Sequence, residues 1–130
     1  MTTSSQTRPT TTVETLSFLD RQAARERNAS NYETTVSYHG LPASSHIAVR
    51  AEADRVLVTA TDIDVLAEWL FVQGGTVSTV ELPSGQTVWT LRTRTWTDSP
   101  ALFPEIPVHV TVVLPSTESV IHEIAAAVAA

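Results

Sequence analysis

Residues 61–82, TDIDVLAEWLFVQGGTVSTVEL, combine a helix, a glycine stop and a strand, and they decide the fold. Leu66 and Leu70 belong to an apolar stripe at helical spacing, which predicts a buried helix face. A second apolar side that includes Trp69 indicates a helix covered from two directions. Gly74 ends this helix, because glycine adopts the left-handed conformation of a C′ position without a steric penalty.

The rest of the chain predicts helices and strands around this unit. Hairpin-length connections favour antiparallel pairing, with helices packed on a face of the sheet. We therefore predict an α+β fold in two layers, with a mainly antiparallel sheet of five to six strands and three helices in the order α-βββ-α-βββ-α. The predicted helices cover 13–29, 62–73 and a segment capped by Ser116; the strands cover 32–38, 47–51, 55–60, 76–82, 87–97 and 106–114.

Length and composition indicate one globular domain. The chain has 130 residues, of which 42% are hydrophobic and 17% charged, and this can supply a core. Residues 1–12 are polar and predict a disordered tail, so the domain is predicted over 13–130, with helix 13–29 as a possible dimerisation or partner arm. Cysteine is absent, which excludes disulfides and thiolate chemistry. All eight cationic side chains are arginines, a composition typical of a high-GC bacterium or its phage.

The charge is unevenly distributed along the chain. Four arginines and three acids give residues 1–31 a charge of +1, whereas four arginines and eleven acids leave −7 on residues 32–130. An acidic body argues against broad binding of nucleic acid, which needs a basic surface. The polar N-terminal segment lacks the apolar region of a secretory signal, and no apolar run is long enough for a membrane span, so we expect a cytoplasmic protein without a membrane partner.

The best candidate binding surface is a row on the predicted strand 87–97. Arg92, Arg94 and Trp96 alternate with period two, so their side chains are predicted to project from one face. Arginine beside an indole can hold a phosphate, a carboxylate or a stacked base. The alternative is a solvated sheet face on which the tryptophan is partly covered by a helix.

A second candidate surface is apolar and would contact a protein partner or another copy of the chain. Helix 13–29 contributes Leu16, Phe18 and Leu19, and the loop after strand 87–97 contributes Leu102 and Phe103. Trp69 and Phe71 are further candidates for surplus apolar surface. Arg21 and Arg25 share one side of the first helix and can join this contact, although an ordinary solvated face explains them equally.

The chain shows no signature of catalysis, of a metal site or of a cofactor site. Its four histidines have no metal-ligand spacing, and there is no glycine-rich phosphate loop or nucleophile motif. We therefore predict a non-catalytic interaction or regulatory protein without a cofactor that acts as a homodimer. The alternative is a module that binds nucleic acid or an anionic ligand through Arg92, Arg94 and Trp96; an enzyme with a spatially assembled His/Asp site is a third possibility.

The last residues, Val128-Ala129-Ala130, resemble the Leu-Ala-Ala end of the tag that bacterial trans-translation adds to stalled proteins. The resemblance covers about three residues and implies recognition by a bacterial AAA+ protease. The alternative is the frayed end of an alanine-rich helix.

Overall fold

The computed structural model describes the backbone of residues 2–97, 99, 101–102, 104–120 and 122–128, and the side chains from Ser17 onward except that of His122. The fold is α+β with three helices and a five-stranded sheet, as the sequence predicts. The elements are α1 Thr2–His39, β1 Ala48–Ala51, β2 Val56–Ala60, α2 Ile63–Gln73, β3 Thr76–Glu81, β4 Gln86–Arg94, β5 Pro107–Pro115 and α3 His122–Val128.

The sheet has the strand order β1-β2-β5-β4-β3 and is mixed rather than purely antiparallel. The β1–β2 and β3–β4 pairs are antiparallel hairpins, and β5 is antiparallel to β4. The β2–β5 pair is parallel, with Val56 opposite Val108. The last strand therefore lies between two hairpins that are formed earlier in the chain.

Helices cover one face of the sheet only. On this core face, β2 and β5 bury every inward side chain from Val56 to Ala60 and from Val108 to Leu114. Side chains of α1, α2 and α3 complete the same apolar cluster, namely Tyr32, Val65, Leu66, Trp69 and Ile124. The other side, which we call the open face, has no buried side chain in any of the five strands. The domain therefore has two layers.

Helix α2 forms the centre of the helical layer. Leu66 and Trp69 are fully buried, whereas Leu70 is half-buried. Asp62, rather than the neighbouring threonine, is the N-cap: its carboxylate accepts a hydrogen bond from the Asp64 N–H at 2.9 Å. At the other end, the N–H of Gly74 donates to the Leu70 carbonyl, and Gly74 has a φ of 70°. The glycine stop is thus where the sequence predicts it.

The strand predicted over 32–38 is wrong, because these residues are the last turns of α1. Alternating Tyr and Val favour a strand locally, but helical spacing brings Asn28, Tyr32 and Thr35 onto one buried side. The ring of Tyr32 stacks on Trp69 with a centroid distance of 5.7 Å, and burial raises the pKa of Tyr32. Contacts with α2 therefore decide the conformation. The order of helices and strands along the chain is therefore α-ββ-α-βββ-α.

The helix α1 also extends beyond the predicted range 13–29 at both ends. Its N-terminal part includes residues 2–12, for which composition predicts a disordered tail. Disorder of residues 1–12 stays a prediction.

Two boundaries near the C-terminus also differ from the prediction. Ser116 is not a helix cap: its hydroxyl lies 2.9 Å from that of Thr87, and α3 begins only at His122. This pair ties the end of β5 to the start of β4. Of the predicted degradation signal, Val128 ends α3, while Ala129 and Ala130 lie outside the described residues.

Candidate functional site

The open face brings together all four arginines of residues 32–130. The register places one residue of each strand in a row across the sheet, which we call the arginine row: Arg50, Leu57, His109, Arg92 and Thr76. Arg94 lies at one end of this face, two residues beyond Arg92 on β4. Arg55 directly precedes β2 and is close enough to His109 for its charge to lower the pKa of that histidine. Acids of the helical layer are on other surfaces of the domain, namely Glu33 on α1, Asp62 and Glu68 at α2, and Glu123 on α3.

Two carboxylates partly neutralise this arginine cluster. Glu52 contacts Arg55 at 2.9 Å and Arg50 at 3.6 Å, and its hydrogen bond raises the pKa of Arg55. Glu105 contacts Arg94 at 3.2 Å. Within the described residues, Arg92 makes no ion pair, and its side chain is exposed. Asp54 is also close enough for its charge to act on Arg55 and His109, so four guanidinium groups against three carboxylates leave the cluster with a small excess of positive charge.

His109 lies at the centre of the row, on the middle strand β5. Its neighbours across the sheet are Leu57 and Arg92. Partial burial lowers the pKa of His109, the positive charges of Arg55 and Arg92 lower it further, and Asp54 opposes them. The imidazole is therefore mostly neutral at physiological pH and offers a planar, uncharged ring beside the free guanidinium of Arg92.

Trp96 does not continue the predicted row of Arg92 and Arg94, because β4 ends at Arg94. Its backbone N–H donates to the Thr35 hydroxyl of α1 at 2.9 Å. Its indole stacks on Tyr38 with a centroid distance of 4.1 Å and an interplanar angle of 7°. Arg92 and Arg94 thus share the open face, whereas Trp96 packs against the end of α1.

A shallow polar cleft lies beside Trp96, between α1 and the end of the sheet. Its volume is about 360 Å³, and Ser30, Asn31, Thr34, Thr95, Trp96, Thr97 and Pro104 line it. Most of these groups are hydroxyls or amides, and no charged side chain is among them. Tyr38 next to it is 65% exposed although it is stacked. The described residues of the cleft therefore offer hydrogen bonds and an aromatic edge, but no charge for a salt bridge.

The predicted contact residues of the first helix lie on a projecting segment. Residues 17–23, which we call the arm, are all exposed, and seven consecutive residues cover every side of a helix. Phe18 and Leu19 are 54% and 55% exposed. Arg21 bonds Ser17 within the arm at 2.8 Å, and Arg25 bonds Gln22 at 3.3 Å. Leu16 belongs to the same helix, in the part without described side chains.

The remaining predicted apolar contacts are divided between the core and the surface. Leu102 is exposed in the loop between β4 and β5, whereas Phe103 lies outside the described residues. Phe71 is 88% exposed on α2. Trp69, predicted as surplus surface, is fully buried, because it lies between the sheet and Tyr32 of α1.

Metal binding and membrane insertion are the two other properties for which the described residues can be tested. Among the described residues, no cluster of three or more His, Cys, Asp or Glu side chains has the geometry to hold a metal ion. None of the helices in the described part of the chain is both long and apolar enough to cross a bilayer.

Comparisons with known proteins give no further assignment. No family model matches the chain, and neither the curated proteins nor the solved structures include a match.

Sequence reasoning missed the clustering of Arg50, Arg55 and His109 with Arg92. The face of its strand that each residue occupies can be read from the sequence. The arginine row, however, forms only because β5 inserts between β2 and β4. A parallel pair of strands separated by about 50 residues leaves no local signal in the sequence.

Proposed function

We propose that this chain is a small non-catalytic interaction protein that acts as a homodimer through the arm of α1. The observation that supports the proposal is the exposure of the whole arm, including Phe18 and Leu19. An isolated helix of this kind is marginal in water, and a partner that covers its apolar side chains stabilises it.

A second copy of the chain is the partner that fits this arm. The helix carries both signs of charge, with Asp20 and Glu26 beside Arg21, Arg25 and Arg27, so two copies can pair opposite charges. A twofold contact uses the same patch on both subunits and is the commonest symmetry of soluble oligomers.

The arm is separable from the domain at a definite point. Asn28 is buried, and its amide donates to the carbonyls of Glu52 and Ala53 at 2.8 and 3.1 Å. These bonds fix the following half of α1 to the β1–β2 turn. A truncation that removes residues 1–23 therefore spares the docked half, whereas one that extends to Asn31 removes a buried hydrogen-bonding group.

Light scattering on the full chain, and on variants with charges in the arm, tests the proposal. Phe18→Glu combined with Leu19→Glu is expected to convert a dimer into a monomer, because charges would be buried in the contact. Phe71→Glu is the control: it places one glutamate on a more exposed aromatic of α2, outside the arm, and should leave the dimer intact. A full-length protein that remains monomeric at tens of micromolar would refute the proposal, as would equal dissociation of both variants.

A further inference from the structure

We propose that the open face of the sheet binds single-stranded nucleic acid, with the phosphates over the arginine row and the bases over an adjacent row of hydroxyls. This inference is independent of the arm and of self-association. It rests on the placement of charges, hydroxyls and planar groups on the one sheet face that no helix covers.

The first step is the charge asymmetry of the domain. Residues 32–130 have a net charge of −7, yet their four arginines converge at one end of the open face. Among the described residues, Glu52 and Glu105 are the acids that pair with them, Asp54 acts on Arg55 without an ion pair, and Arg92 has no acidic partner. A local basic face on an acidic protein attracts an anionic partner to that face and repels it elsewhere.

The second step is the row of hydroxyls beside the arginines. Thr59, Thr111, Thr90 and Ser78 lie opposite one another on β2, β5, β4 and β3. They are two residues from the arginine row along each strand, which corresponds to about 7 Å. Hydroxyls donate and accept hydrogen bonds, so this row can bind base edges or ribose groups while the neighbouring row holds phosphates.

The third step is the planar group on the middle strand. His109 and Arg92 are cross-strand neighbours, and both lie on the open face. Unstacked bases pack on histidine rings and on guanidinium planes. Single-stranded nucleic acid presents such bases, whereas an acidic peptide has none. In the described part of the chain, no helix or hairpin projects from this face to enter a duplex groove.

The dimensions of the face are also suitable. Five strands about 4.8 Å apart span about 19 Å from β1 to β3. A single strand that crosses the β-strands can therefore contact successive groups of both rows, as in other proteins that bind single strands on an open sheet.

Fluorescence anisotropy with a labelled oligouridylate of about 20 nucleotides tests this proposal on the full-length chain. We expect binding at about 50 mM salt that weakens steeply toward 200 mM. Arg92→Ala combined with Arg94→Ala should weaken binding about tenfold or more and should lower the slope of log K against log salt by about one to two.

The control changes the net charge by the same amount in another place. Phe71→Glu combined with Ser84→Glu adds two acids at exposed positions on α2 and in the turn between β3 and β4, and should change the affinity less than about twofold, within the range of general electrostatic attraction. If the Arg92/Arg94 variant unfolds, Thr90→Glu provides a second test, because it places an acid in the hydroxyl row and should also abolish binding.

Four outcomes would overturn the proposal. They are absence of binding at low salt, equal loss in the Phe71/Ser84 control, tighter binding to a duplex of the same length, and displacement of the oligouridylate by polyglutamate at equal charge. The last result would instead identify an acidic protein segment as the occupant of the face.

Discussion

The two faces of the sheet are made by alternate residues of the same five strands, yet they have opposite properties. On β5, Val108, Val110 and Val112 are fully buried, while His109 and Thr111 between them remain accessible to solvent. On β4, Leu91 is buried between the exposed Arg92 and the half-buried Thr90. The period of two thus divides one sheet into a face that stabilises the fold and a face that is free to bind a partner.

The strongest test of this division compares two leucines. Leu91→Ala on the core face should cost about 2–5 kcal/mol, because a fully buried side chain leaves a cavity. Leu57→Ala on the open face should cost less than half as much, since Leu57 is already partly exposed. Urea unfolding measures both free energies. Equal costs would show that a further element covers the open face.

A second comparison uses threonine in the same way. Thr93 is buried on the core face, and its hydroxyl has no hydrogen-bond partner among the described residues. Thr93→Val keeps the shape and removes the unsatisfied hydroxyl, so we expect roughly 1 kcal/mol of added stability. Thr111→Val on the open face should change stability by less than about 0.5 kcal/mol. A loss of stability in Thr93→Val would indicate that the hydroxyl has a partner in the folded protein.

A third test concerns the pH dependence that His109 contributes. Its pKa is lowered in the folded protein, so the unfolded chain binds this proton at a higher pH than the folded chain does. This histidine therefore lowers the free energy of unfolding as the pH falls from about 6.5, the pKa of an unperturbed histidine, toward the lower pKa of His109 in the folded protein. His109→Gln should flatten the decline of the free energy of unfolding between about pH 7 and pH 5. His46→Gln, in the exposed loop before β1, controls for the loss of a histidine. Unchanged pH profiles in both variants would contradict the assignment.

A small effect on stability is expected when the arginines themselves are removed. Arg92→Ala combined with Arg94→Ala should change the free energy of unfolding by no more than about 1 kcal/mol, because both side chains are exposed and the Arg94–Glu105 pair is a surface ion pair. Thermal unfolding followed by circular dichroism checks this. Loss of folding in the double variant would mean that the open face is structural rather than free for binding.

Local signals in the sequence were sufficient for much of this fold. The apolar stripe of α2 and the stop at Gly74 each depend on residues within a few positions of one another. The α+β class and the exposed face of Arg92 and Arg94 followed from the same periodicity.

Features that depend on distant contacts could not be predicted in this way. The segment 32–38 has the alternation of a strand, but packing of Tyr32 on Trp69 and the bond between Thr35 and Trp96 keep it helical. The same contacts move Trp96 away from the arginine row. The complete basic cluster depends on the parallel pairing of β2 with β5, which brings His109 beside Leu57 and Arg92.

The central position of β5 also has a consequence for how the chain folds. Val56 must pair with Val108, so the middle of the sheet closes only after most of the chain has left the ribosome. Before that point, the β1–β2 and β3–β4 hairpins have no strand between them, and their apolar sides lack the valines of β5. A nascent or truncated chain that ends before Pro107 therefore exposes two unjoined half-sheets with free edges. Such a species is prone to aggregation until β5, a strand of nine residues, pairs with both hairpins.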